Sequence, residues 1–144
     1  MEIKQFSEEY YFLSNFYECP VTYKEITYQN NEAAFQAQKC INEKDRTLFA
    51  NLNASQAKKL GREIPLRKDW ESIKVKEMAA IVYAKFTQNE NLQEKLLSTG
   101  DAYLEEGNTW GDRIWGVCNG SGQNLLGQIL MSTREKIREQ NREL

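Results

Sequence analysis

The chain has 144 residues, 40% hydrophobic and 28% charged, a balance that suits one globular domain with its own core. Its 19 basic and 21 acidic side chains give a net charge of −2. That excludes a general electrostatic pull toward nucleic acid or an anionic membrane, so any phosphate binding has to be local. The chain holds no histidine, which removes Ser-His-Asp and Cys-His catalysis and histidine-dependent zinc sites. Acid–base work is left to Asp, Glu, Lys or Tyr. Cys19, Cys40 and Cys118 are widely spaced and lack a Cys-x-x-Cys pair, so they read as reduced thiols of a cytoplasmic protein. A mechanism without metal is expected. No apolar run approaches the ~18 residues of a membrane span, and the N-terminus does not read as a signal peptide.

In chain order, Phe6 to Phe16 is aromatic-rich without helical period and reads as an extended segment and a turn. Val21-Thr22-Tyr23 and Ile26-Thr27-Tyr28 alternate, predicting a hairpin turned at Lys24-Glu25, although the turn lacks glycine. The hairpin delivers the chain into a helix beginning at Asn30 or Asn31. Asn42 to Asn53 is polar with Leu48, Phe49 and Leu52 at helical spacing. Ser55 to Leu60 predicts a short helix stopped by Gly61 as its C-cap. A loop around Pro65 carries Arg62 and Arg67. From Asp69 a long helix runs toward Phe86 on the stripe Trp70, Ile73, Met78, Ile81, Val82 and Tyr83. Asn91 to Ser98 predicts another helix, and Ala102 to Glu105 a short strand. Asn108 to Gln123 is a long glycine- and tryptophan-containing loop, the kind that tends to be functional in a compact domain. A last helix is expected from Asn124 to about Arg138, its basic end (Arg134, Lys136, Arg138) complementing the helix dipole.

The stretch Asn30 to Cys40, NNEAAFQAQKC, is the most informative. At ~100° per residue, Glu32, Phe35, Gln36 and Lys39 share one helix face. Taken alone, that face is one that water would ordinarily cover, with Glu32 as first-turn carboxylate and Lys39 as surface charge. Its neighbours in sequence change the reading. Upstream lies Phe12-Leu13-Ser14-Asn15-Phe16. Downstream come Gly61-Arg62, Arg67-Lys68-Asp69-Trp70-Glu71, Lys85-Phe86, Trp110-Gly111-Asp112 and Gly122-x-Asn124-x-x-Gly127.

In this order and spacing the set resembles the NADAR, or YbiA-like, family of N-glycosidases, from about Phe6 to Arg138. The family's Ser-Glu-His-Tyr-Phe-Gln-Ala-Gln-Lys-Phe is matched at Glu32, Phe35, Gln36, Ala37, Gln38 and Lys39. It is departed from at Ala33 and Ala34, which replace the His-Tyr of some members and carry no function here. The resemblance implies a single α+β domain over 1–144, helix-dominated with a small sheet. It also implies hydrolysis of a ribose N-glycosidic bond without metal or organic cofactor. Family substrates include ribosylamino-pyrimidine phosphates of early riboflavin synthesis and ADP-ribosylated guanine, so nucleic acid enters only as a modified substrate.

On that reading Glu32 orients or deprotonates water, or stabilises an oxocarbenium-like transition state. Lys39 serves either as a cation on ribose or phosphate oxygens or as an amine forming a Schiff base, which requires it to be neutral. Trp70 is a core indole or a stacking platform. Arg62 and Arg67 are candidate phosphate ligands. Asp112 is the favoured second carboxylate, with Glu105 its competitor. Asn15, Phe16, Trp110, Gly111, Gly122 and Asn124 complete the expected binding residues. The run Asn119 to Asn124 enters a helix whose free N–H groups would suit phosphate, but a plain turn with an Asn cap explains it equally well. Cys118 reads as a bystander. Two other classes are a non-catalytic reader of ADP-ribose or NAD, and a purely structural protein, which would not need polar groups on the Asn31 helix face.

Overall fold

A computed structural model describes residues 1–143. In chain order it contains β1 (Glu2–Ile3), a 3-10 helix (Glu8–Leu13), β2 (Glu18–Tyr23), β3 (Ile26–Asn30), α1 (Asn31–Ala37) and α2 (Glu43–Arg46). A second 3-10 helix (Thr47–Phe49) precedes α3 (Ala54–Glu63), α4 (Trp70–Gln88) and α5 (Glu90–Ser98). Then come β4 (Tyr103–Leu104), β5 (Gly107–Asn108), β6 (Val117–Cys118) and α6 (Leu125–Arg142). The class is α+β, and its strands form two-stranded ladders. The chain divides into two compact units, Asn15–Gln88 and Met1–Ser14 with Asn89–Leu144.

In the Asn15–Gln88 unit, β2 and β3 form the expected antiparallel hairpin, Val21 facing Tyr28 and Tyr23 facing Ile26. Its turn is built without glycine: Lys24 and Glu25 both take positive φ, 49° and 71°, the left-handed pair of a tight primed turn. The turn is anchored from outside, because Glu77 of α4 accepts hydrogen bonds from both Lys24 and the Tyr23 hydroxyl. β3 runs directly into α1, whose N-cap is Asn30: its side-chain oxygen accepts from Ala33 N at 2.7 Å. All of α1 is buried. The solvated stripe is therefore not what this helix presents. It is also shorter than its pattern predicts, and Lys39 lies in the turn beyond it, where Gln38 N and Lys39 N bond three residues back.

Gly61 does not stop α3. It sits inside the helix, which continues to Glu63. The polar stretch after Asn42 divides into α2 and a 3-10 turn rather than one helix, each short enough to escape a periodicity reading.

In the other unit, β1 pairs in parallel with β4, and β5 with β6. Glu8–Leu13 is a 3-10 helix, not an extended segment; Tyr10 N and Ser14 N close its turns, and Phe12 and Leu13 are buried. The expected basic end of α6 is partly internal. Arg134 is buried and donates to Thr99 Oγ1 and the Ala102 carbonyl, each at 2.9 Å. Arg138 pairs with Asp101 and Glu135.

Lys85 of α4 is fully buried beside the Tyr17 and Phe86 rings, its ammonium 5.6 and 5.2 Å from their centroids. Burial pulls its pKa down to about 8, with Cys19 acting in the opposite sense. Below that value the folded protein carries the full cost of a buried ammonium. The cost fades as pH rises from about 8 toward the unfolded value of ~10.4. Lys85→Met is expected to stabilise the protein by up to roughly 3 kcal/mol at neutral pH, with the gain shrinking over that window. Chemical denaturation of both proteins between pH 7 and 10 checks this, and a pH-independent difference would refute it.

Candidate active site

Glu32 occupies the first turn of α1, where its backbone N–H donates to the Asn15 carbonyl at 3.0 Å. One turn on, Gln36 Nε2 donates to Glu32 Oε2 at 3.0 Å. Both side chains are almost wholly buried. Beside them the Phe35 and Trp70 rings meet at 5.0 Å with a 52° tilt. Lys39 Nζ lies 6.0 Å from the Trp70 ring and 3.5 Å from the Gly61 carbonyl.

Lys39 is half-buried, and burial is the main cause of a lowered amine pKa; Arg62 lowers it further while Glu32 raises it. Those influences place Glu32, Lys39 and Arg62 within electrostatic reach of one another. The α1 face, the start of α4 and the end of α3 thus gather a held carboxylate, an amine biased toward neutrality, an indole and an exposed arginine. Such a set can activate water or carry an amine nucleophile against an electrophilic carbon.

The two arginines differ. Arg67 is held by both oxygens of Asp69, at 2.6 and 3.2 Å, and its backbone N–H donates to the Lys39 carbonyl. Arg62 is exposed and makes no ion pair among the described residues. Asn15 is buried, its amide donating to Met78 Sδ at 3.4 Å, so its carbonyl's support of Glu32 is its visible contribution. Phe16 is half-buried with Lys58 Nζ 5.9 Å from its ring. Trp70 belongs to the core: it is only 5% exposed and is flanked by Phe35 and Lys39.

The remaining expected residues belong to the other unit. Asp112 Oδ1 accepts from Ile114 N at 3.0 Å and Trp115 N at 2.9 Å. Asn108 and Asp112 exchange two further bonds, side-chain amide to backbone carbonyl and backbone N–H to side-chain oxygen. This carboxylate folds the loop. Glu105 is half-buried, and Trp110, 63% exposed, leaves its indole available for stacking next to Gly111. Gly122 and Asn124 build structure. A Cβ on Gly122 would lie 2.2 Å from the Gly116 carbonyl. Asn124 is left-handed and buried, with Nδ2 donating to the Leu104 carbonyl and Oδ1 accepting from Glu106 N. Four donors at this helix start are already used within the protein: the N–H groups of Gln123, Asn124, Leu125 and Leu126 donate to carbonyls of residues 113–116.

The model of the NADAR domain matches residues 3–138. The chain belongs to the NADAR family. An N-glycosidase named YbiA from Shigella boydii is 39% identical over 135 residues, covering 91% of this chain and 84% of its own length. A riboflavin biosynthesis protein of Vibrio vulnificus is 40% identical over 137 residues; the match spans 92% of this chain but only 37% of that protein. The solution structure of Escherichia coli YbiA superposes with a TM-score of 0.87 at 36% identity, over 100% of this chain and 88% of that one. The NADAR departures Ala33 and Ala34 are both fully buried.

Sequence reasoning placed Gln36 on the right face but gave it no task. The signal was its i, i+4 spacing from Glu32. Asn108 carried no sequence signal beyond its place in the loop.

Asp112→Asn keeps an acceptor for the two amides and removes only charge. It is expected to retain stability within ~0.5 kcal/mol, whereas Asp112→Ala loses roughly 1–3 kcal/mol. Denaturation curves check both. If Asp112→Asn also keeps turnover, any second-carboxylate role passes to Glu105.

Proposed function

We propose that this chain hydrolyses the C1–N bond of a ribosyl substrate, with Glu32 and Lys39 carrying the chemistry. The observation that supports it most is the pairing of a held, buried carboxylate with an amine whose pKa burial depresses, beside one indole. The names of the relatives point the same way, to N-glycosidases and riboflavin biosynthesis. The favoured substrate is a ribosylamino-pyrimidine phosphate; an ADP-ribosylated guanine shares the same bond near phosphate.

In the covalent route the C1–O4′ bond opens to a C1=N iminium as O4′ takes a proton, and the neutral Lys39 amine adds to C1. The C1–N bond to the base then breaks as the base takes the proton of the added amine, and water hydrolyses the resulting lysine iminium to free sugar and amine. Glu32 activates that water. In the direct route Glu32-activated water attacks C1 and Lys39 serves only as a cation. Glu32→Gln is expected to abolish turnover, by ~10²–10⁴-fold, while the fold is kept. Lys39→Arg is expected to be severely impaired, because guanidinium stays protonated and is a poor nucleophile. Borohydride during turnover should leave a sugar adduct on Lys39, read by mass spectrometry. Near-normal Lys39→Arg activity without an adduct leaves the direct route.

Phosphate recognition is assigned to Arg62, since Arg67 is already held by Asp69. Arg62→Ala should raise KM for a phosphorylated riboside about ten-fold or more and leave the unphosphorylated one unchanged. Equal effects on both would mean that Arg62 holds no phosphate. A second reading is a non-catalytic ADP-ribose or NAD reader, to which the exposed Trp110 is equally suited. Incubating the pure protein with both ribosyl substrates and detecting free sugar decides: binding without release in either case favours the reader.

A further inference from the structure

We infer that Gly61 and Gln36 are positioning residues that hold Glu32, with Gly61 also supporting Lys39. The inference rests on the catalytic reading of Glu32 and Lys39 given above.

Glycine is a poorer helix former than alanine, yet Gly61 lies inside α3, in its last turn. Its φ is not left-handed, so no backbone conformation requires glycine there. What requires it is space. A Cβ at this position would lie 2.0 Å from Gln36 Oε1 and 2.8 Å from Gln36 Cδ. The carboxamide of Gln36 thus occupies the volume that any larger residue would fill. Gln36 is only 7% exposed, and its Oε1 has no hydrogen-bond partner. A buried acceptor left unsatisfied is destabilising, a cost borne for the other end of the group, where Nε2 donates to Glu32 Oε2.

The orientation of the amide follows from the same contacts. Reversed, it would set an oxygen against the carboxylate of Glu32, acceptor against acceptor. Seated as it is, the oxygen lies against the bare Cα of Gly61 and the N–H points at Glu32. The carbonyl of Gly61 meanwhile receives Lys39 Nζ at 3.5 Å. One residue of α3 therefore bears on both reacting groups, through a side chain on one and directly on the other. Glu32 and Arg62 both act electrostatically on Lys39, the first raising and the second lowering its pKa.

The test uses the full chain and reads Glu32 directly. The carboxyl carbon of Glu32 is followed by NMR titration in the wild type, Gln36→Ala, Gly61→Ala and the double variant, without substrate. A donor to the charged form favours ionisation. Gln36→Ala and Gly61→Ala should therefore each move the Glu32 titration to higher pH. Gly61→Ala should add little in the Gln36→Ala background, because its effect on Glu32 passes through Gln36. On substrate, kcat for Gln36→Ala should fall about 10–100-fold, as for lost orienting partners elsewhere, with KM little changed.

An unmoved Glu32 titration in both single variants overturns the inference, as does full additivity. Should Gly61→Ala fail to fold, Gln36→Ala and Gln36→Glu carry the test, the latter placing a second carboxylate against Glu32 and shifting its titration upward further still. A wild type that releases no sugar but shows these titration shifts removes the proposed function and leaves the positioning intact.

Discussion

A helix of two turns that buries all of its residues has to place every polar group it carries against a partner inside the protein. α1 meets part of that demand by local means, while Asn31 Nδ2 and Oδ1 and Gln36 Oε1 stay without a hydrogen-bond partner among the described residues. Asn30 caps Ala33, the Asn15 carbonyl takes Glu32 N, and Gln38 Nε2 turns back onto the Ala34 carbonyl at 2.9 Å. The only carboxylate of the helix is gripped by the only carboxamide one turn away. Removal from water strengthens each of these interactions and makes each costly to lose. The same desolvation reaches Lys39 at the end of the helix and weakens its hold on a proton. Burial of α1 thus fixes the geometry of one candidate group and lowers the pKa of the other.

Much of this frame was legible. The stripe of α4, the alternation of the hairpin and the periodicity of α5 and α6 each predict the element that forms, because long amphipathic patterns report their own burial. Shorter pieces did not announce themselves. Glu8–Leu13 is two turns of 3-10 helix among aromatics, too short for a period to show. Gly61 shows a different limit. Glycine after a run of helix formers reads as a stop, and the alternative, a glycine cleared for a neighbouring side chain, depends on Gln36, 25 positions earlier. No local pattern contains that information.

The glycine-rich loop shows how a residue type misleads about its task. Trp110, Gly111, Asp112, Gly122 and Asn124 read as a ligand-binding constellation. In the fold, Asp112 and Asn108 tie the loop to its own backbone, and Asn124 ties it to β4. Gly116, Gly122 and Gly127 allow backbone carbonyls within 2.2 Å of where a Cβ would stand. A carboxylate that grips amides and one that moves protons look the same in sequence. What separates them is how many of their acceptor sites the protein itself has filled. By that measure Trp110 remains open to a ligand, while Asn124 has spent its side-chain amide on the fold.

The electrostatics of the candidate site turn on which cause depresses the Lys39 amine. Arg62 contributes, but an arginine that binds a phosphate has its charge neutralised at that moment, and its influence on Lys39 would fall just when the amine is needed. Were Arg62 the main cause, substrate binding would reprotonate the nucleophile. Burial is the larger cause and Arg62 the smaller. Desolvation, by contrast, belongs to the fold and does not depend on what Arg62 holds. The counterweight is Glu32, whose negative charge raises the amine's pKa, and that charge is tempered by the Gln36 N–H that it accepts. An amine held half-buried therefore owes its lowered pKa first to the fold itself, with the neighbouring carboxylate acting in the opposite sense.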